Sequence, residues 1–264
     1  EIDYIKIILD NFSNTVIVDL LIVLIGKIFS LILEFDSYYS NLDDKKSLSE
    51  IIKVGLPAGI QGVMFSVANV NIQSSVNTFG TVMIAGNSAA CSLEDFLYQI
   101  MNGFTATNLT FCSQNMGSGK HSRIKKGIVI LVLCTAVIGL VTGCLFLFFG
   151  RQLLKIYTVS PEVIEAGMNR MYVTYPTIFL CGIMHGLGNS IRGIGHSLMP
   201  AVSITFGCCV LRLFWIFLIF PKYPTPFNIF VSYPISWLLT DIVNLVFLIY
   251  YMNQLKKQNQ TVRQ

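Results

Sequence analysis

An all-α membrane protein, built as a six-helix transmembrane bundle with one further hydrophobic helix ahead of it, is the fold class this sequence predicts. Three observations carry that prediction. Charge is scarce: 12% of the 264 residues are charged against 53% hydrophobic, at a mean hydropathy of +0.65, whereas a soluble domain carries about 25% charged residues. So few charges cannot cover a chain of this size with a polar shell, so its solvent is lipid. The apolar residues also fall in runs of about 20 or more, the length that crosses a bilayer. Finally, the basic residues sit in short clusters between those runs, and with a net charge of only +4 this argues against nucleic acid as a partner.

Seven runs meet the length criterion: 15–35, 53–79, 88–115, 125–149, 163–190, 198–221 and 227–252. In the first, "TVIVDLLIVLIGKIFSLILEF", Asp19 and Lys27 are each costly at a helix centre. A true span, an interfacial helix and the end of something longer all stay open for it. Residues 1–52 are thus an N-terminal segment ending in a cytoplasmic linker, 53–252 the six-helix lobe, and 253–264 a basic cytoplasmic tail. The chain opens on Glu1 with no standard signal peptide, as either a fragment or a processed product would. In "GLPAGIQG", Pro57 is tolerated in a first helical turn, and Gly55, Gly59 and Gly62 allow close helix contact. "GLVTG" (139–143) and "GIMHG" (182–186) are small-xxx-small packing patterns. The connections "FGT", "GSGKHS", "SPE", "RGIGHS" and "FPKYPTP" carry turn residues. Trp215, Trp237 and the tyrosines near run ends read as interfacial anchors. The seven cysteines are odd in number, and without a CxxC pair they read as small hydrophobes and not as a disulfide frame or zinc site.

The stretch "CSQNMGSGKHSRIKK" (112–126) resembles a phosphate-binding loop, which would need G-x-x-x-x-G-K-[ST]. Here His121 follows Gly119–Lys120, and Gln114 stands where the first glycine belongs. No strand pattern precedes it. It reads as a tight cytoplasmic turn between two membrane helices. With residues 36–52 cytoplasmic, that side carries eleven basic residues, including Lys120, Arg123, Lys125, Lys126, Lys256 and Lys257. The outer side carries four, Lys6, Arg151, Lys155 and Lys222. The asymmetry puts both ends of the six-helix lobe in the cytoplasm.

The run 88–115 is polar for a membrane helix, with Glu94, Asp95, Gln99, Asn102, Thr105 and Asn108, and the run before it holds Gln61, Asn69, Gln73 and Asn77. Such side chains face a bundle interior or a water-filled cavity. For any single Ser or Thr, a bond between helices is sufficient reason. The ensemble reads as the wall of a solute pathway, with Gln61, Asn69, Gln73 and Asn102 as candidate substrate contacts on polarity alone. Three ionisable positions stand out. Glu94 lies about 9 Å from the outer end of its run, and Arg212 roughly 13 Å from the outer end of its own. Asp241 is near the middle of 227–252. A carboxylate at such depth is costly unless paired or hydrated. Two readings follow: Glu94 and Asp241 exchange a proton or cation during transport, or they form structural ion pairs with Arg212. Arg170 also falls within a run. His185 reads as a hydrogen-bonded interior histidine, and His121 and His196 as solvated turn residues. No Ser–His pair, DxxxD pair or HExxH motif supports an intramembrane enzyme, and no metal or cofactor is expected beyond Na⁺ or H⁺ as a coupling ion.

Several stretches in order, "IKVGLPAGIQGVMFSVANVNIQSSVNTFG", "AGNSAACSLEDFLYQIMNGF", "SQNMGSGKHSRIKK", "GLGNSIRGIGHSLMP" and "LRLFWIFLIFPKYPTP" with "SYPISWLLT", resemble the MATE (multidrug and toxic compound extrusion) family. The resemblance runs from about Lys53 to Tyr251. It implies a secondary antiporter of two six-helix lobes, here the C-terminal lobe of helices seven to twelve, exporting cationic or amphipathic compounds against Na⁺ or H⁺ in a bacterial plasma membrane. The first lobe is not covered, and the run 15–35 stands in the place of helix six. Some members place acidic residues early in helix seven and in helix ten. This chain is apolar around Phe65 and has Cys181–Gly182 at the second position, so that cation site does not carry over. Glu94 matches a glutamate common in a related bacterial subgroup, and Asp241 has no counterpart. Two alternatives stay open: a lipid-linked oligosaccharide flippase, for which only Arg212 and Arg170 would supply interior cations, and a non-transporting lobe that needs a partner lobe or a second copy.

Overall fold

The computed structural model describes the backbone of residues 45–261 and the side chains of residues 59–256. The expected hydrophobic helix at 15–35 lies outside the described residues. Among them, all regular structure is helical: α1 (Lys45–Asn77), α2 (Thr81–Gly117), α3 (His121–Phe148), the short α4 (Gly150–Leu154), α5 (Pro161–Thr174), α6 (Ile178–Gly193), α7 (Leu198–Lys222) and α8 (Pro226–Thr261). With α5 and α6 taken as one broken rod and the short α4 as an extension of α3, this is the six-rod bundle that the six runs between 53 and 252 predict. The turn at "GSGK" contains no nucleotide cradle. Gly119 takes a positive φ of 68° and the chain reverses through Lys120 N–H bonding the Asn115 carbonyl at 2.9 Å.

Two expected boundaries move. The second rod begins at Thr81 and not at residue 88, because Gly80, at φ 90°, makes the reversal and nothing after it breaks a helix. Glu94 therefore lies about 20 Å along its helix, at 1.5 Å per residue, deeper than its apolar run implies. The run 163–190 is not one helix. It breaks at Tyr175–Thr177, where Pro176 has no N–H to continue the ladder and Thr177 and Ile178 bond carbonyls three residues back at 3.3 Å. Within α7, Thr205–Val210 and Trp215–Ile219 are wound as π-helix, leaving Arg212 between two underwound turns.

Among the described residues, three rods are long and apolar enough to cross a membrane: His121–Phe148, Leu198–Lys222 and Pro226–Lys256, with hydropathies of 2.8, 2.2 and 1.7. Their outer sides expose Leu133 and Val137 of α3, Phe206 and Phe214 of α7, and Val246 of α8. In water such a surface would aggregate; in lipid it is solvated. The interior is close-packed around Leu97, Met101, Met171, Tyr175, Phe220 and Phe230. The small-residue patterns do pack: a Cβ on Gly139 would lie 2.7 Å from the Met101 sulfur, and one on Gly143 would strike the Tyr175 carbonyl. Trp237 departs from expectation. It is a buried core residue, edge-on to Tyr233, because its face of α8 turns inward. His185 packs edge-on to Tyr98 at 5.3 Å, and the solvated His196 stacks on Tyr251 at 3.8 Å.

Candidate transport site

The charged centre of the bundle is an ion pair between α2 and α5. The two helices touch at Gly86 and Gly167, where a Cβ on Gly86 would sit 2.6 Å from the Gly167 amide nitrogen. That approach brings Arg170 against two α2 side chains. Its Nε and Nη2 both donate to Glu94 Oε2, at 3.0 and 2.9 Å, and its Nη1 donates to Asn87 Oδ1 at 3.1 Å. Thr174 Oγ1 donates to the same Glu94 oxygen at 3.4 Å. Asn87 in turn donates to Gln73 of α1 at 2.9 Å, and Gln73 to Asn77 at 3.0 Å. The guanidinium is 4% exposed and the Glu94 carboxylate 16%. Every bond to Glu94 lands on Oε2, so Oε1 accepts none from the described residues.

A second arginine adjoins the first through one aromatic ring. Arg170 lies 4.8 Å from the Tyr233 centroid and 5.5 Å from that of Phe230. Arg212 of α7 lies 4.1 Å from Tyr233 and 5.8 Å from Trp237. These are cation–π distances, worth more where water is excluded. Arg212 Nε donates to Ser236 Oγ at 2.9 Å, while its Nη2 is buried without a partner among the described residues.

Asp241 breaks the expected pattern. It is 8% exposed and neither carboxylate oxygen has a hydrogen-bond partner among the described residues. Among the described residues the ion pairs are Arg151–Glu165 and Arg170–Glu94, so neither the Arg212–Asp241 nor the Arg212–Glu94 pair forms. The reason is rotational and axial. Ser236 and the two rings hold the Arg212 guanidinium about 7.5 Å outward along α8 from Asp241, and Arg170 already occupies Glu94. One turn below Asp241, Asn244 accepts a short bond from Ser203 Oγ and donates to the Met184 carbonyl at 3.5 Å.

The four polar candidates do not share one pocket. Gln61 is buried and accepts from Arg192 Nη2 at 2.6 Å, at the basic end of the lobe. Gln73 belongs to the Glu94 network. Asn69 and Asn102 are exposed, and Thr105 Oγ1 donates to the Asn102 backbone carbonyl at 3.1 Å and to its Oδ1 at 3.4 Å. Exposure reveals a pattern that residue counting missed. Along α2, Ser88, Asp95, Gln99 and Asn102 are exposed, with Ser92 partly so; their spacing of three and four residues puts them on one face. On α1, Ser66, Asn69, Gln73 and Asn77 follow the same spacing and are exposed or half-exposed. Arg170, which the sequence offers only as an interior cation for the flippase alternative, is the central residue of the network. An arginine within a membrane run is as costly as Asp241, and that signal was available in "MNRMYVT".

Comparison with known proteins places this geometry. The family model MatE matches residues 57–218. The probable multidrug resistance protein YoeA of Bacillus subtilis is 22% identical over 163 residues, 62% of this chain and 35% of the relative. The multidrug export protein MepA of Staphylococcus haemolyticus is 25% identical over 139 residues, 53% of this chain and 30% of the relative. Among solved structures, the outward-facing conformation of a multidrug resistance MATE family transporter of the MOP superfamily superposes with a TM-score of 0.75 at 16% identity, covering 83% of this chain and 50% of that one. The alignments thus span about a third of the curated relatives (35% and 30%) and half of the solved chain (50%). A six-rod bundle with that superposition, matched by that model over more than half its residues, is a membrane-embedded, multi-pass member of the MatE family, the multidrug and toxic compound extrusion transporters.

Proposed function

We propose that this chain is the C-terminal lobe of a secondary antiporter that exports small amphipathic or cationic compounds in exchange for Na⁺ or H⁺, in a bacterial plasma membrane with both ends of the lobe cytoplasmic. The observation that carries the proposal is the open polar face of α1 and α2, on a lobe whose α3, α7 and α8 expose Leu, Val and Phe. Lipid cannot hydrogen-bond Asp95, Gln99 or Asn102, so this face belongs against water and a second lobe, supplied by the same protein, another chain or a second copy. Asn69 and Asn102 stand on it as substrate contacts. Behind it, among the described residues, Glu94 Oε1 accepts no bond and Asp241 has no counter-charge, so each is a place where a proton or monovalent cation is taken up and released. The names of the relatives, multidrug export proteins among them, support the same substrate class. Both interior guanidiniums, Arg170 and Arg212, are committed to Glu94, Ser236 and aromatic rings, which disfavours a cationic cavity for a pyrophosphate-linked lipid. No resident metal, organic cofactor or nucleic acid enters the proposal.

The test is ethidium accumulation in an efflux-deficient bacterium expressing this chain, alone and with a MatE N-terminal lobe, with a proton uncoupler and Na⁺ removal as controls. Gradient-dependent exclusion, lost in Glu94→Gln and Asp241→Asn, is the expected result. Well-inserted chain that excludes nothing even with the N-terminal lobe present would overturn it.

A further inference from the structure

α3 and α8 both pack on α6, and the basic ends of α3 and α8 border a cavity of about 670 Å³. Its mouth is cationic, lined by Lys125 of α3 and Lys256 of α8 with His121 and Ser122 from the first turn of α3. Neither lysine is in an ion pair among the described residues, and the stretches 117–126 and 253–264 contain no Asp or Glu at all. The first turn of α3 has no side-chain cap among the described residues; the Arg123 N–H bonds the Lys120 carbonyl at 3.1 Å, while the His121 and Ser122 N–H groups and the positive dipole end add to the same field. His121 Nδ1 is buried there without a partner among the described residues.

Below the mouth the lining changes character. Ile128 and Leu248 form a buried floor, while Val129 and Ile249 are about half exposed, at 51% and 52%. These walls continue into the outward-facing Leu133 and Val137 of α3 and Val246 of α8, the surface that lipid chains cover. A cationic mouth over an apolar slot open to the bilayer matches an anionic headgroup carrying acyl chains. We propose that this cavity binds an acidic phospholipid, with its phosphate between Lys125, Lys256 and the first turn of α3 and an acyl chain along Val129 and Ile249. The site is separate from the polar face of α1 and α2 and does not depend on the transport proposal.

Native mass spectrometry of the full chain in detergent doped with phosphatidylglycerol or phosphatidylcholine tests this. Phosphatidylglycerol should be retained over phosphatidylcholine, and millimolar inorganic phosphate should not displace it. Lys125→Gln with Lys256→Gln should weaken retention roughly 30-fold, from two lysines at an anionic group. Val129→Trp should weaken it by filling the slot, with the mouth intact. Arg123→Gln, exposed on the same turn but outside the cavity, should change nothing. All four positions are exposed, so an unchanged unfolding midpoint certifies the fold. Equal retention of the two lipids, displacement by phosphate, or a loss with Arg123→Gln as large as with the lysine pair would overturn the proposal. So would retention of neither lipid.

Discussion

Replacing Glu94 by Gln strips the charge from the one carboxylate that neutralises Arg170. Removing a partner from a buried pair costs about 3–5 kcal/mol. Two features reduce that here. The Gln amide oxygen still accepts from the Nε and Nη2 donors now 3.0 and 2.9 Å from Oε2, and Arg170 keeps Asn87 and the Tyr233 and Phe230 rings. The expected loss is therefore about 2 kcal/mol, near 30-fold in the folded-to-unfolded ratio. Arg170→Met leaves Glu94 unpaired, but at 16% exposure that carboxylate reaches some water, so the loss is roughly 1–2 kcal/mol. The double variant should lose less than either single change, because neither a guanidinium nor a carboxylate is left orphaned, giving a coupling of at least about 2 kcal/mol. That exceeds the roughly 0.6 kcal/mol average for hydrogen bonds between membrane helices. Reversible unfolding followed by tryptophan emission reads it, since Trp237, 3% exposed, contacts the same Tyr233 ring. A coupling below about 0.5 kcal/mol, where the single losses simply add, would refute the pair as an energetic unit.

Three further outcomes are expected. Asp241→Asn should hold or raise the unfolding midpoint, because it removes a carboxylate with no hydrogen-bond partner, while gradient-coupled efflux fails; a clear loss of stability would mean that Asp241 is paired after all. Gly143→Ala should destabilise by about 1–3 kcal/mol, since the new Cβ meets the Tyr175 carbonyl at the break between α5 and α6; an unchanged midpoint would show that the contact relaxes freely. In a background without its native cysteines, Asn102→Cys should react with a membrane-impermeant maleimide in the assembled transporter while Val137→Cys does not. Equal labelling would mean that the α2 face is not lined by water.

Membrane class, the number of rods and the places where the chain turns were legible in the sequence, because each is set by local quantities. A run's length decides whether it spans, and the glycines at 80, 119 and 195 permit the positive φ that the turns need. The polarity of α1 and α2 was legible too, as was the depth cost that singled out Glu94, Arg212 and Asp241. Who pairs with whom was not. Glu94 and Arg170 are 76 residues apart, and depth along a rod leaves the rotation about its axis free. That rotation is decided by packing: the Gly86–Gly167 approach turns Arg170 to Glu94, while Ser236, Tyr233 and Trp237 draw Arg212 away from Asp241. The same phase sends Trp237 into the core and leaves Asn69 and Asn102 on the open face. Hydropathy and turn chemistry thus determined by themselves that this is a bundle in lipid. Only the tertiary structure decided which of its costly charges are neutralised and which stay free to act, because neutralisation needs two side chains within about 4 Å, a distance that no count along one helix contains.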